Sequence, residues 1–223
     1  RVHDWQPGQR LKVPFGSREV IGVLIATTDK TDVPTEKLKS VISVLDPVSC
    51  FSDTLMRLFH WASDYYHHPM GEVMLGMMPK LLRLGKAPIP CDAAPMSMAL
   101  ATHLTLNAAQ KAAVDAITAV PSFQTICLQG ITGSGKTEVY LQSMAPQLQA
   151  GKQVLVMVPE IALTPQTVAR FEARFSVPVA CWHSELTDKQ RLTVWSQAAS
   201  GYAKIIIGTR SAVFLPIKQL GMI

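Results

Sequence analysis

The chain predicts an α/β protein: a small β-rich N-terminal domain with helices, then a parallel-sheet lobe built around a phosphate-binding loop. Three observations carry this. The first is Gly130-Ile131-Thr132-Gly133-Ser134-Gly135-Lys136-Thr137, which fits G-x-x-x-x-G-K-[ST] at every fixed position. The second is the run of strand-like and helix-like segments that alternates after it, the pattern of a parallel sheet covered on both faces. The third is the alternating polar and apolar residues of the first 50 positions, which suit antiparallel strands.

Arg10–Phe15 alternates, Gly16-Ser17 turns the chain, and Val20–Ile25 returns as a second strand. Lys39–Leu45 alternates again and is expected to be a third. From Asp53 to Tyr66 the spacing becomes helical: Leu55, Leu58, Phe59, Ala62 and Tyr66 share a face, with Ser52 or Asp53 as cap. A second helical stretch, Gly71 to Leu84, ends at Gly85. Pro88, Pro90 and Pro95 mark a linker over 87–104, which separates a domain over 1–86 from one over 105–223. In the second, Asn107–Thr118 reads as a helix and Thr125–Gln129 as the buried strand ahead of the phosphate loop. After the loop come a helix from Glu138, a strand Gln153–Val158, a helix Pro165–Phe175, a strand Pro178–Trp182, a helix Thr187–Ala199 and a strand Ala203–Gly208.

At 223 residues the chain is long enough to bury a core, and 48% apolar against 17% charged residues excludes a disordered chain. No apolar run is long enough to span a membrane, and the start at Arg1 carries no secretory pattern. Cys50, Cys91, Cys127 and Cys181 are widely spaced with no C-x-x-C pair, which predicts free thiols in a reducing, cytoplasmic setting. The net charge of +5 favours nucleic acid over acidic partners. The excess lies with the phosphate loop: residues 106–223 hold 10 Lys/Arg against 6 Asp/Glu.

In the loop, glycines let backbone N–H groups turn toward phosphates, and the helix start adds positive partial charge. Gly130, Thr132, Gly133, Ser134, Gly135, Lys136 and Thr137 form the expected nucleotide site, with Lys136 on the β/γ-phosphates and Thr137 on Mg²⁺. A phosphate loop alone would not separate kinase, transporter, GTPase and helicase. Val158-Pro159-Glu160-Ile161-Ala162-Leu163-Thr164-Pro165-Gln166 follows a strand and opens a helix whose free N–H groups could hold a backbone phosphate. Ile207-Gly208-Thr209-Arg210-Ser211-Ala212 repeats the plan, and both loops leave strand C-termini, where such sheets bind ligands.

These segments, with Trp182-His183-Ser184-Glu185-Leu186, closely resemble the first, RecA-like motor lobe of the bacterial primosomal replication-restart helicases, a branch of the superfamily-two DNA helicases. Val13-Pro14-Phe15-Gly16 and Trp61–Val73 resemble that family's domain for the 3′ end of a nascent strand. The resemblance implies an ATP-dependent 3′-to-5′ DNA helicase of replication restart that recognises stalled forks and supports primosome assembly. It implies ATP and Mg²⁺ as cofactors, Gln110 as the reader of adenine, and Thr164, Thr209 and Arg210 on the single-strand track. It also implies that Asp4, Gly22 and Lys39 hold a 3′-terminal nucleotide, with His3 where the family has an aromatic residue. Forked and single-stranded DNA, single-strand-binding protein and other primosome proteins are the implied partners, with no membrane, in the bacterial cytoplasm at forks of the nucleoid.

The chain also departs from that family. The Asp-Glu pair that holds Mg²⁺ and activates water, the second motor lobe with its arginine fingers, and the zinc-binding cysteines fall outside it. Zn²⁺ is therefore expected in the full-length family member, with no zinc ligands in this chain. The winged helix usual between the two domains has only a linker in its place. The stretch given is expected to bind ATP and DNA but to turn ATP over inefficiently. Two other readings compete: another superfamily-two translocase, or a DNA-end binding module with a non-hydrolysing motor lobe. Tyr65-Tyr66-His67-His68 is expected to plug a helix end into the core, His183 to be a satisfied core histidine, and Met70, Met74, Met77 and Met78 to serve packing.

Overall fold

A computed structural model describes residues 5–91 and 104–223. Asp4 and His3, and most of the expected linker, lie outside the described residues. The chain forms two compact units: Arg1–Cys91 with Ser184–Ala199 and Phe214–Pro216, and Asp92–His183 with Ser200–Val213 and Ile217–Ile223.

The first unit opens with β1 (Arg10–Phe15) and β2 (Arg18–Val23), an antiparallel hairpin in which Phe15 faces Arg18. Its turn uses Gly16 at φ +60, a conformation that L side chains rarely adopt. β3 (Ser43–Val44) pairs with β1 on the other edge, giving the order β2-β1-β3. The expected third strand, Lys39–Leu45, is thus cut to two residues. Its first half finds no ladder partner until Ile42 N–H donates to Lys12 O at 2.9 Å.

α1 (Asp53–Tyr66) starts as the sequence reads, with Ser52 Oγ accepting from Leu55 N–H at 3.2 Å. Leu55, Met56, Phe59 and Ala62 form its buried face. The Gly71–Leu84 stretch is two helices, α2 (Met70–Met77) and α3 (Lys80–Arg83), because Pro79 cannot donate within a continuous helix. Met74 and Met78 are buried, as packing residues should be. Phe51 meets Phe59 and Trp195 edge-on at 5.1 and 5.9 Å, and Phe59 stacks on Phe214 at 5.7 Å.

Through this unit runs a buried ion pair. Arg10 Nε and Nη2 donate to the two carboxylate oxygens of Asp46 at 2.8 and 2.6 Å, and Nη1 donates to Leu82 O and Lys86 O at 2.7 and 2.9 Å. The Arg10 amide (3.0 Å) and the Cys50 thiol (2.9 Å) also donate to Asp46 Oδ2. Burial alone would raise the Asp46 carboxyl, yet the hydrogen bonds from Arg10 and Cys50 and the Arg10 charge hold it below the usual carboxylate range. Burial, together with the hydrogen bond to Asp46 and its charge, pushes the Cys50 thiol up to about 12.

In the second unit, β4 (Gln153–Met157), β5 (Val179–Trp182), β6 (Ile205–Gly208) and β7 (Leu220–Met222) make a parallel sheet in the order β5-β6-β4-β7. α4 (Ala108–Thr118), α5 (Lys136–Gln149) and α6 (Pro165–Phe175) are its helices, and α7 (Asp188–Ser200) follows β5 in the chain. Most of α7 belongs to the first unit, where Ile89 N–H donates to Ser196 Oγ at 2.9 Å. Leu141, Met144, Ala145 and Leu148 of α5 and Phe171 and Phe175 of α6 pack on Val154, Ile205 and Ile207 of the sheet. The α/β architecture expected from the sequence is the one observed.

One strand is absent from it. Thr125–Gln129 has no regular secondary structure, and Ile126 and Cys127 are exposed. A run of five residues must gain a ladder to offset its ordering entropy. β7, three residues long, holds the end of the sheet order, and Leu220 is itself exposed.

Breaking the Arg10–Asp46 pair from one side should be costly. Asp46→Ala is expected to lower unfolding free energy by about 3–5 kcal/mol, measured by urea denaturation. Because the folded-state carboxyl titrates below its unfolded value, its contribution is present above about pH 4 and is lost as pH falls through the folded value. Thiol alkylation at pH 8 should modify exposed Cys127 first and spare Cys50 until the protein unfolds, read by mass spectrometry.

Candidate functional site

The phosphate loop runs into α5 at Lys136. Gly133 and Gly135 both sit at φ +81, and Gly135 occupies the cap position with no side-chain bond. The first-turn N–H groups of α5 therefore keep no side-chain partner. Lys136 Nζ folds back over the loop and donates to Gly130 O at 2.6 Å and Ile131 O at 2.7 Å. Thr132, Ser134 and Thr137 are exposed beside it.

Gln110 docks onto this loop. Asn107 and Gln110 form a reciprocal capping box at the start of α4: Gln110 N–H donates to Asn107 Oδ1, and Asn107 N–H to Gln110 Oε1, each at 2.9 Å. The other end of the amide, Nε2, donates to Ser134 O at 2.9 Å. A Cβ at Gly135 would collide with that Nε2, so only glycine admits both the backbone angle and the glutamine. A second lone pair on Oε1 and a second N–H on Nε2 remain for a ligand edge. Left-handed glycines, an uncapped helix start, a lysine and an exposed hydroxyl form a donor set that fits a magnesium-bound triphosphate.

The two later loops leave the sheet at one level. Met157 and Trp182 are both in register with Gly208, so β4, β5 and β6 end together. Thr164 caps α6, accepting from Thr167 N–H at 3.2 Å, with Pro165 next in the chain. Arg210 is 92% exposed, and its Nη2 lies 3.7 Å from Glu160 Oε1, which links the two loops across the sheet edge. Thr209 is only 6% exposed: its N–H donates to Trp182 O at 3.2 Å and its carbonyl accepts from Ala212 N–H at 2.9 Å. Of that expected pair, Arg210 alone presents its side chain to solvent. Thr209 holds the turn.

Of the expected N-terminal site residues, Gly22 and Lys39 are described. Gly22 pairs with Leu11 near the open end of the hairpin, with open space where a Cβ would be. Lys39 Nζ donates to Gly16 O at 3.3 Å, at the hairpin tip four residue pairs away. With Asp4 outside the described residues, no three-residue pocket can be drawn from them.

Sequence reasoning missed Gly208. A Cβ there would stand 2.5 Å from that of Ala212 and 3.0 Å from Trp182 O, so the strand end accepts no side chain. It also misplaced the aromatic pair on α1. Tyr65 and Tyr66 are 64% and 67% exposed and pack with exposed Trp61, whose ring stacks on that of Tyr65 at 5.0 Å. Helical periodicity explains this: Leu55, Phe59 and Ala62 fix the buried face, and positions 61 and 65 fall on the other side. Trp182 is buried, its Nε1–H donating to Ser211 Oγ at 3.0 Å, while the following His183 is half-buried. Among the described residues no group of three or more His, Cys, Asp or Glu is placed to hold a metal, and no helix is long and apolar enough to cross a membrane.

Residues 107–221 match the family model of the DEAD/DEAH box helicases, and residues 2–79 match that of the 3′DNA-binding domain (3′BD). The chain belongs to the DEAD/DEAH box helicase family, whose domain takes ATP with Mg²⁺. Within that class its relatives are replication restart proteins PriA. Over 98% of the chain it is 33% identical to the PriA of Haemophilus influenzae, and over 97% it is 32% identical to that of Treponema pallidum. Over 53% of the chain it is 48% identical to the PriA of a Synechocystis species. The chain spans 40%, 33% and 14% of the length of these three proteins. The Haemophilus alignment extends over 292 residues, more than the chain holds, so that relative carries inserted segments.

Gln110→Ala should weaken ATP binding by about 1–2 kcal/mol, because it removes the loop tether and the side-chain bond that accepts from Asn107 N–H. Titration with a fluorescent ATP analogue would measure it. Gly208→Ala should lower stability by about 1–3 kcal/mol through overpacking, read by thermal unfolding.

Proposed function

We propose that the full protein is an ATP-dependent, 3′-to-5′ DNA helicase that restarts replication at stalled forks. In this reading residues 2–79 capture the 3′ end of a nascent strand, and the lobe over 107–221 is half of the motor. The observation that carries it is the phosphate loop, docked by Gln110, in the same unit as two loops that leave one sheet edge. The match of the N-terminal residues to a 3′DNA-binding domain supports the choice of a DNA end as substrate.

ATP supplies the phosphoanhydride bond whose hydrolysis drives the motor. Lys136 exchanges the Gly130 and Ile131 carbonyls for phosphate oxygens, and the Thr137 hydroxyl serves the Mg²⁺. Thr164 and the first turn of α6 hold a strand phosphate, with Arg210 contributing charge from the neighbouring loop. Asp4, Gly22 and Lys39 hold the 3′-terminal nucleotide, the carboxylate accepting from the 3′-hydroxyl and the ammonium taking a phosphate. Zn²⁺ belongs to parts of the full protein beyond this stretch, and single-strand-binding protein and primosome proteins are its partners at the fork. The isolated stretch binds ATP and DNA without efficient turnover.

Forks with a free 3′-OH on the leading arm should bind several-fold tighter than forks ending in a 3′-phosphate at fixed salt, and Asp4→Ala or Lys39→Ala should remove the difference. Equal affinity for both forks would rule out end recognition. Lys136→Ala should lower ATP hydrolysis by the full protein by about two orders of magnitude, measured by phosphate release.

A further inference from the structure

Glu138 lies in none of these loops, yet it touches the supports of three elements that serve them. It is the third residue of α5, directly after Thr137. Its Oε1 accepts from Arg174 Nη2 at 2.6 Å and from Gln142 Nε2 at 2.7 Å. The two charged side chains are 13% and 9% exposed, so this is a largely buried pair. Gln142 Nε2 also donates to Leu104 O at 2.9 Å, in the segment that leads into α4 and Gln110. Arg174 stands one residue from the end of α6, whose other end is the Thr164 cap. An 11-residue helix is a rod about 16 Å long. One carboxylate therefore ties the approach to Gln110, the first turn behind the phosphate loop, and the far end of the helix that opens at Thr164.

Stability does not account for such a pair. The first turn of a helix favours a carboxylate, but an exposed one would serve. Burying two charges costs desolvation that apolar residues of similar volume would avoid. What an ion pair supplies and an apolar contact does not is direction: a hydrogen bond fixes where the end of α6 sits against α5. We propose that the Glu138–Arg174 pair couples the nucleotide site to the DNA track, with α6 as the rigid element that both ends bias. Glu138 and Arg174 are positioning residues: they touch neither ligand and act through α6. A strand phosphate bound at the Thr164 end shifts α6, the pair passes the shift to the first turn of α5, and the reciprocal effect follows from linkage.

This inference rests on the helicase reading above, and its test separates the two. In the full-length protein, Glu138→Gln keeps the shape of the side chain, and Glu138→Gln with Arg174→Met removes both charges and leaves no orphaned ion. ATP hydrolysis is measured with and without single-stranded DNA, alongside ATP affinity and thermal unfolding. Both variants should bind ATP as the wild type does and keep its DNA-free rate. Their DNA-stimulated kcat should fall at least about fivefold, with KM for ATP unchanged. The double variant should melt no lower than the wild type, which separates lost coupling from lost folding. If the double variant folds normally and keeps full DNA stimulation, the pair is structural and the inference is overturned. If either well-folded variant loses ATP affinity equally with and without DNA, the pair merely shapes the phosphate loop, which overturns it as well. A wild-type protein that hydrolyses ATP with no response to DNA would sink the helicase reading itself, and the coupling with it.

Discussion

Three parallel strands that stop at one level place every loop after them on one edge, and Gly208 sets that level. Met157 and Trp182 align with it on either side, Val158 N–H donates to its carbonyl, and Thr209 N–H reaches across to Trp182 O. The chain then turns so tightly that the 208 backbone faces Ala212 with no room for a methyl group. Slipping any strand by one residue would exchange the side chains that pack on each face of the sheet. Ile205, Ile206 and Ile207 have no solvent exposure at all, which makes such a slip expensive. The contact between Glu160 and Arg210 is a product of this alignment. Both side chains are exposed, so their pairing contributes little, and its value is in showing how close the two loops lie.

The two buried ion pairs contrast with that apolar sheet, and they differ from one another. Arg10 and Asp46 are saturated: four of the five guanidinium N–H groups have acceptors, and the carboxylate accepts from side chains, an amide and a thiol. The pair joins β1, the segment before α1 and the end of α3, which are far apart in sequence. A sheet of three short strands buries little by itself, so a network that fixes its neighbours does what a larger core does elsewhere. The Glu138–Arg174 pair joins helices that already share an apolar core, and its geometry matters more than its cohesion.

Features written in a local pattern were legible in the sequence. α1 with its Ser52 cap, α4 from Asn107, α6 from Thr164-Pro165 and the strands β4, β5 and β6 all follow from caps, prolines and apolar spacing. Features that depend on a partner were not. Thr125–Gln129 has the composition of a strand, but composition does not supply a ladder. Lys39–Leu45 alternates, yet only its second half, from Ile42, finds β1. Tyr65 falls on the face opposite Leu55 and Phe59, whereas Tyr66 shares their phase but is the last residue of α1, beyond the part of the helix that is covered. Thr209 and Arg210 are adjacent in one motif, and the turn buries the first and exposes the second. Gln110 was identified by resemblance, and its tether to Ser134 explains physically why a glutamine in α4 matters to a loop 20 residues later.

That tether also bears on how the phosphate site is kept. Lys136 is not a loose cation: two peptide carbonyls of its own loop hold it, and Gln110 holds Ser134. A phosphate group must displace those carbonyls, so the gain on binding is the difference between charge-assisted bonds to phosphate and bonds to neutral acceptors, not the full strength of the former. The same contacts keep the loop ordered in advance, which lowers the entropy lost when nucleotide arrives. Competition and preorganisation thus come from one set of hydrogen bonds. Strengthening the hold on Lys136 would tighten the resting loop and weaken nucleotide binding, while loosening it would reverse both effects. The carbonyls of Gly130 and Ile131 are neutral acceptors, and a neutral acceptor makes a weaker bond to an ammonium than a charged phosphate does.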